Sequence, residues 1–123
     1  MPVTYEIDAT RSLIRTTCFG PVRLQDVMAH FDELQRDPDR PDRLDVLLDL
    51  RDVAAPPEAP QLQAVANRVG LVEGLVFGAC AIVANTEAMF GMARMFEALA
   101  RPYFAELRTF RDVAAAEEWL ASF

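Results

Sequence analysis

The sequence predicts an α/β fold: a mixed sheet of about five strands, in the order ββαβαβα, with helices packed against it. Three observations predict it. The chain opens with two short runs of strand-forming residues joined by a turn. Two later runs, Leu44 to Leu50 and Phe77 to Val83, are nearly continuous in apolar residues. Stretches with apolar residues at helical spacing follow the second run of the opening and each of the later ones.

Val3, Tyr5 and Ile7 alternate with Thr4, Glu6 and Asp8, the period of a half-buried strand. Asp8-Ala9-Thr10-Arg11 reads as a turn. Leu13 to Phe19 is rich in β-branched and aromatic residues and stops at Gly20-Pro21, so it is expected to pair antiparallel with the first strand. Between Arg23 and Arg36, Leu24, Val27, Met28, Phe31 and Leu34 fall on one face of a helix, with Asp26, His30 and Glu33 assigned to the polar face. The proline-containing, charged segment 37–43 ends that helix.

Val46, Leu47 and Leu48 in succession, and the apolar run Phe77 to Val83, are expected to be central strands covered on both faces. The loop Ala54 to Pro60 holds three prolines, and Leu62, Val65, Ala66, Val69 and Val72 then make a second helical stripe. Strand, helix and strand form a parallel crossover. A third helix is expected from Glu87 to about Arg101, capped by Asn85 or Thr86 and stopped by Pro102. A short strand, Glu106 to Phe110, leads through Asp112 as N-cap into a last helix. There Val113, Ala116, Leu120 and Phe123 share a face flanked by Trp119.

With 123 residues, 52% of them hydrophobic and 25% charged, the chain fits one globular domain spanning 1–123. A net charge of −7 lacks the basic face that nucleic acid requires. All twelve basic residues are arginine, which removes lysine chemistry. No apolar segment approaches the roughly 18 residues of a membrane span, and no secretory leader pattern precedes Ile14. Cys18 and Cys80 each sit in an apolar run, in no metal-binding spacing, and read as small core residues in a cytoplasmic protein. With a single histidine, His30, no metal site is expected, and no cofactor motif appears.

Three stretches carry a family resemblance: FGPVRLQDV, where a strand ends in glycine before a helix; the strand LDVLLDLRDV; and the closing LRTFRDVAAAEEWL. In this order and spacing the chain resembles the STAS-like proteins, specifically the SpoIIAA-like group of small bacterial domains. The resemblance implies a non-catalytic role. In the anti-sigma-factor antagonists of the wider family that role is signalling by protein contact. In the SpoIIAA-like group, similar in fold to the CRAL-TRIO lipid carriers, it is binding of an apolar ligand or a membrane surface. The antagonists switch by phosphorylation of a serine just after the third strand, but here that place reads Ala54-Ala55-Pro56-Pro57, and the only serines are Ser12 and Ser122. A phospho-switch of that kind is excluded.

Ligands of open α/β sheets favour the crevice at the carboxyl ends of the parallel strands. Asp49, Arg51 and Asp52 lie at that edge after the third strand, Asn85 and Thr86 after the fourth, and Arg94 two turns into the next helix. Along that helix Met89, Met92, Ala93, Phe96 and Leu99 form a buried stripe, with Phe90 and Met95 widening the apolar arc and Arg94, Glu97 and Arg101 forming a solvated one. The segment is rich in adaptable methionine. The sequence therefore supports a non-enzymatic module with a protein partner or a second copy of itself, with carriage of a small lipid-like molecule as the alternative. A weaker alternative is an enzyme using the carboxylates of Asp49 and Asp52; no nucleophile or metal motif supports it.

Overall fold

The computed structural model describes residues 2–123. β1 (Val3–Asp8) and β2 (Leu13–Gly20) form the opening hairpin. α1 (Leu24–Arg36) leads to β3 (Arg43–Val53), α2 (Ala59–Val69) to β4 (Val76–Val83), and α3 (Glu87–Ala100) to β5 (Glu106–Phe110), after which α4 (Val113–Ala121) closes the chain. The order ββαβαβαβα is one strand–helix pair longer than ββαβαβα. The additional pair is β5 with α4, both of which the sequence places.

The strands lie in the order β1-β2-β3-β4-β5, antiparallel between β1 and β2 and parallel at the other three seams. Each crossover advances to the next strand in the same direction, so right-handed connections put α1, α2 and α3 on one side of the sheet. That side holds the larger core, with Ile14, Leu44 and Ile82 of the strands against Leu34, Ala66 and Phe96 of the helices. α4 follows the last strand and folds over the other side, where Ala116 and Leu120 pack on Leu47, Ala79, Ala81 and Val83.

Alternation within each strand produces the two layers. β4 is buried from Phe77 to Val83, as its unbroken apolar run requires, because helices cover both of its faces. β3 is less enclosed than expected: Asp45 and Asp49 remain half-buried on the side that α4 only partly covers. Arg15 of β2 holds both carboxylate oxygens of Glu117 and fixes α4 at its open flank. Phe123 lies beyond the end of α4 and is 65% exposed, so it does not complete the apolar face expected of that helix, although its ring meets the Trp119 ring edge-on at 4.9 Å.

Candidate functional site

Between the sheet and the three crossover helices lies a cavity of about 160 Å³. Its floor is the apolar face of the parallel strands, including Ile14, Leu48, Leu50 and Ile82, and its roof is Phe31, Leu62, Val65, Met89, Met92 and Ala93 from the helices. Small and unbranched side chains at the roof leave space that larger residues would fill: Ala93 is 1% exposed yet presents only a methyl group. Among the described residues, only two of those lining the cavity, Arg23 and Ala55, are exposed. Both follow the carboxyl ends of parallel strands, so the mouth lies between the β2–α1 and β3–α2 loops.

The rim is held by few interactions. The Ala54 N–H donates to the Gly20 carbonyl at 2.9 Å and ties the two loops together, and Gly20 needs its positive φ of 66° to turn the chain there. α1 begins on Arg23, whose guanidinium offers its first-turn N–H groups no acceptor, and Asp26 accepts from the Arg23 N–H at 2.9 Å. α2 begins on a capping box of Glu58 and Gln61, in which Gln61 accepts from the Glu58 N–H at 2.9 Å. α3 and α4 begin differently. Thr86 Oγ1 accepts from the Met89 N–H at 3.2 Å and Asp112 Oδ1 from the Ala115 N–H at 2.8 Å.

The lining is apolar apart from two buried polar side chains, Thr16 and His30, the half-buried Gln61 and the exposed Arg23 at the mouth. His30 is 9% exposed, against the expectation that it lies on the polar face of its helix. Its ring packs edge-on to Tyr5 at 5.3 Å between centroids and tilts against Phe31 at 5.2 Å. Burial pushes the imidazole pKa down to about 4, so the ring is neutral near pH 7. Its Nδ1 is buried and has no hydrogen-bond partner among the described residues. Cys18 and Cys80 also line the cavity as free thiols. Burial, with Asp49 nearby, pushes the Cys18 thiol up to about 11, and burial raises Cys80 as well, so neither is a thiolate nucleophile. No cluster of three or more potential metal ligands occurs among the described residues.

The residues singled out in the sequence separate into different places. Met89 and Met92 line the cavity. Phe90 of the same helix does not; it is half-buried, with the Arg111 guanidinium 4.1 Å from its ring centre. Asp49 and Arg51 form a bidentate pair at 3.0 and 2.9 Å, and this pairing holds the Asp49 carboxyl below its usual range. The alternation that turns Leu48 and Leu50 toward the cavity turns Asp49 away from it. Between Asp49 and Asp52, β3 carries one residue more than β2, and the exposed Asp52 comes opposite Phe19. None of Asp49, Arg51 and Asp52 lines the cavity. Asn85 and Thr86 are exposed, with Thr86 serving as cap, and Arg94 is exposed and paired with Glu97 at 3.4 Å.

Glu97 corrects the expected solvated stripe. It is 7% exposed, accepts a short hydrogen bond from the Thr109 hydroxyl, and lies near Arg94 and Arg101 at 3.4 and 3.8 Å. His30 and Glu97 share one signal that spacing contained. His30 stands three residues after Val27 and four before Leu34, and Glu97 stands four after Ala93 and three before Ala100. Angular position put both beside the buried stripe, although polarity argued for the surface.

The model of the SpoIIAA-like family matches residues 13–121, nearly the whole of this architecture. No curated protein matches the chain significantly. The chain belongs to the SpoIIAA-like family.

Proposed function

We propose that this SpoIIAA-like domain works without covalent chemistry of its own, as a binding module that holds a small apolar molecule between its sheet and its crossover helices. The observation that carries this reading is the cavity of about 160 Å³, apolar almost throughout and open at the strand ends. An engineered cavity of about 150 Å³ with similar lining binds benzene. The occupant is therefore the size of one ring or a short branched chain; a whole acyl chain would require the helices to part.

A protein partner, or a second copy of the domain, would then read the rim formed by segments 20–23 and 54–58. In the loop after β3 no hydroxyl is available to carry phosphate. Filling of the cavity takes the place of that signal, by favouring the conformation in which the loops close. The self-neutralised Asp49–Arg51 pair outside the cavity gives acid–base catalysis no support. Among the described residues no helix is long and apolar enough to cross a membrane. Two buried free thiols suit a reducing, cytoplasmic setting.

Solvent extraction of the purified protein with mass spectrometry, together with thermal shifts in the presence of small arenes, tests the proposal. A ring-sized molecule in the extract, or a rise in Tm with benzene or toluene, supports it. A protein that extracts empty and whose Tm no arene moves would sink it.

A further inference from the structure

We propose that the molecule held in the cavity is uncharged and carries an oxygen, of a hydroxyl or a carbonyl group, that hydrogen-bonds to the Thr16 hydroxyl. This deepens the reading of the cavity as a ligand site and rests on it. Thr16 is 4% exposed and lines the cavity from β2, on the same face of the strand as Ile14 and Cys18. Its hydroxyl makes no hydrogen bond to any described residue, yet a water-sized contact can still reach it. His30 Nδ1 differs: with less than 1 Å² accessible it is sealed in the packing, out of a ligand's reach. A buried polar group that is unpaired but open toward a cavity is one that an occupant can complete.

The row of residues that crosses the sheet at this level shows what Thr16 lacks. Strand pairing runs Tyr5, Thr16, Leu48, Ile82, Thr109 from one edge to the other. Thr109 donates a short hydrogen bond to Glu97 of α3, so the second buried threonine of the row is paired by the protein itself. No such group meets Thr16. Beside it in the row, Leu48 has no polar atom in its side chain, and the Tyr5 hydroxyl donates to Asp37 at 2.7 Å. Elsewhere in the lining, Gln61 accepts from the Glu58 N–H, and the Arg23 guanidinium lies 3.5 Å from the Asp26 carboxylate.

The place and chemistry of that hydroxyl select the ligand class. Thr16 stands four residues before Gly20 at the rim, roughly 13 Å along the strand, so the oxygen belongs to the end of the molecule that enters first. A threonine hydroxyl donates one hydrogen bond and can accept others, and either a carbonyl or a hydroxyl oxygen can pair with it. A carboxylate at that depth would need a cation, but the cationic side chain of the lining, Arg23, is exposed at the mouth. An ammonium would need an acid, and among the described residues no Asp or Glu lines the cavity. Either charge would be buried uncompensated, at a cost that excludes it.

Phenol and cyclohexanone serve as probes, each set against a hydrocarbon of its own shape, toluene and methylenecyclohexane. Calorimetry measures all four on the full chain and on Thr16→Val, in which a methyl group takes the place of the hydroxyl. The affinity of at least one oxygen probe relative to its hydrocarbon is expected to fall about tenfold in the variant, the size expected when a buried oxygen loses its partner. Which probe responds tells a hydroxyl ligand from a carbonyl one. The ligand-free variant is expected to melt no lower than the wild type, because the hydroxyl it loses had no partner in the protein. If probes bind and both ratios are the same in the two proteins, the Thr16 assignment is overturned while the cavity reading stands. A variant that melts lower, or does not fold, would mean that the hydroxyl is bonded within the protein, and overturns the assignment as well. If no probe binds, both readings fail.

Discussion

The two faces of the sheet are built to different tolerances. Under α4, Ala79 and Ala81 of β4 and Ala116 of the helix are no more than 3% exposed, closely packed in one cluster with Leu47, Val83 and Leu120. Under α1, α2 and α3, side chains as large as Phe31, Met89 and Phe96 surround open volume. α4 is pinned by the Arg15–Glu117 ion pair and starts on Asp112, a preferred cap, whereas α1 and α2 flank the cavity mouth and start on Arg23 and Glu58, which are not. One layer is fixed by close packing. The other has room and a loosely held rim, the physical requirements for admitting a ligand.

Enlarging an alanine should separate the faces most strongly. Ala116→Leu is expected to cost about 3 kcal/mol, because a filled contact has to be forced apart. Ala93→Leu adds three carbons toward the cavity and should leave stability within about 1 kcal/mol of the wild type while abolishing toluene binding. Urea denaturation and calorimetry check both. Equal destabilisation by the two variants would mean that the faces are packed alike.

Acid should reveal the next difference. His30 has its pKa lowered from 6.5 to about 4, so folding favours the neutral ring. The stability this provides is present above pH 6.5 and is lost as pH falls toward 4, in total about 3 kcal/mol. The rings of Tyr5 and Phe31 face it and supply no charge in that window. The Asp49 and Glu117 carboxyls, lowered by their arginine partners, lose their contribution only below the ordinary carboxylate range. Denaturation between pH 7 and 4 should therefore be acid-sensitive in the wild type and nearly flat in His30→Phe; the same slope in both would remove His30 as the cause.

Helix starts give the smallest contrast. Asp112→Ala should cost about 1 kcal/mol, since it removes the acceptor for the Ala115 N–H. Glu58→Ser should instead stabilise by about 0.5 kcal/mol, by putting a preferred N-cap residue at the start of α2 while keeping Gln61 as its capping-box partner. It should also slow amide exchange at the mouth. A Glu58→Ser variant no more stable than wild type would show that the rim is held by something other than its caps.

Much of this architecture was legible because it is written in local periodicity. The alternation Val3, Tyr5, Ile7, the apolar run of β4, the stripe Leu24 to Leu34 and the Asp112 cap each specify an element from residues close in sequence. Strand alternation also contained the fact that Asp49 faces away from Leu48 and Leu50, although proximity to the strand end drew attention to it. The burial of Glu97 was harder to read, because a carboxylate goes inside only when a partner arrives, and Thr109 comes from β5, a separate element. The room beneath the three helices was legible only as the methionine-rich arc of α3, of which Met89 and Met92 border it; its extent was not.

The sequence by itself determined the elements, their parallel crossovers, the missing phospho-acceptor and the net negative charge, because these follow from residue type and near-neighbour spacing. Only the tertiary structure decided that α1, α2 and α3 share one face, that His30 turns inward with Nδ1 unpaired, and that Met89 and Met92 border a cavity while Phe90 does not. Those outcomes depend on how closely non-neighbouring helices approach the sheet. That distance is set by the fit of side chains from several elements at once, and no single segment encodes it.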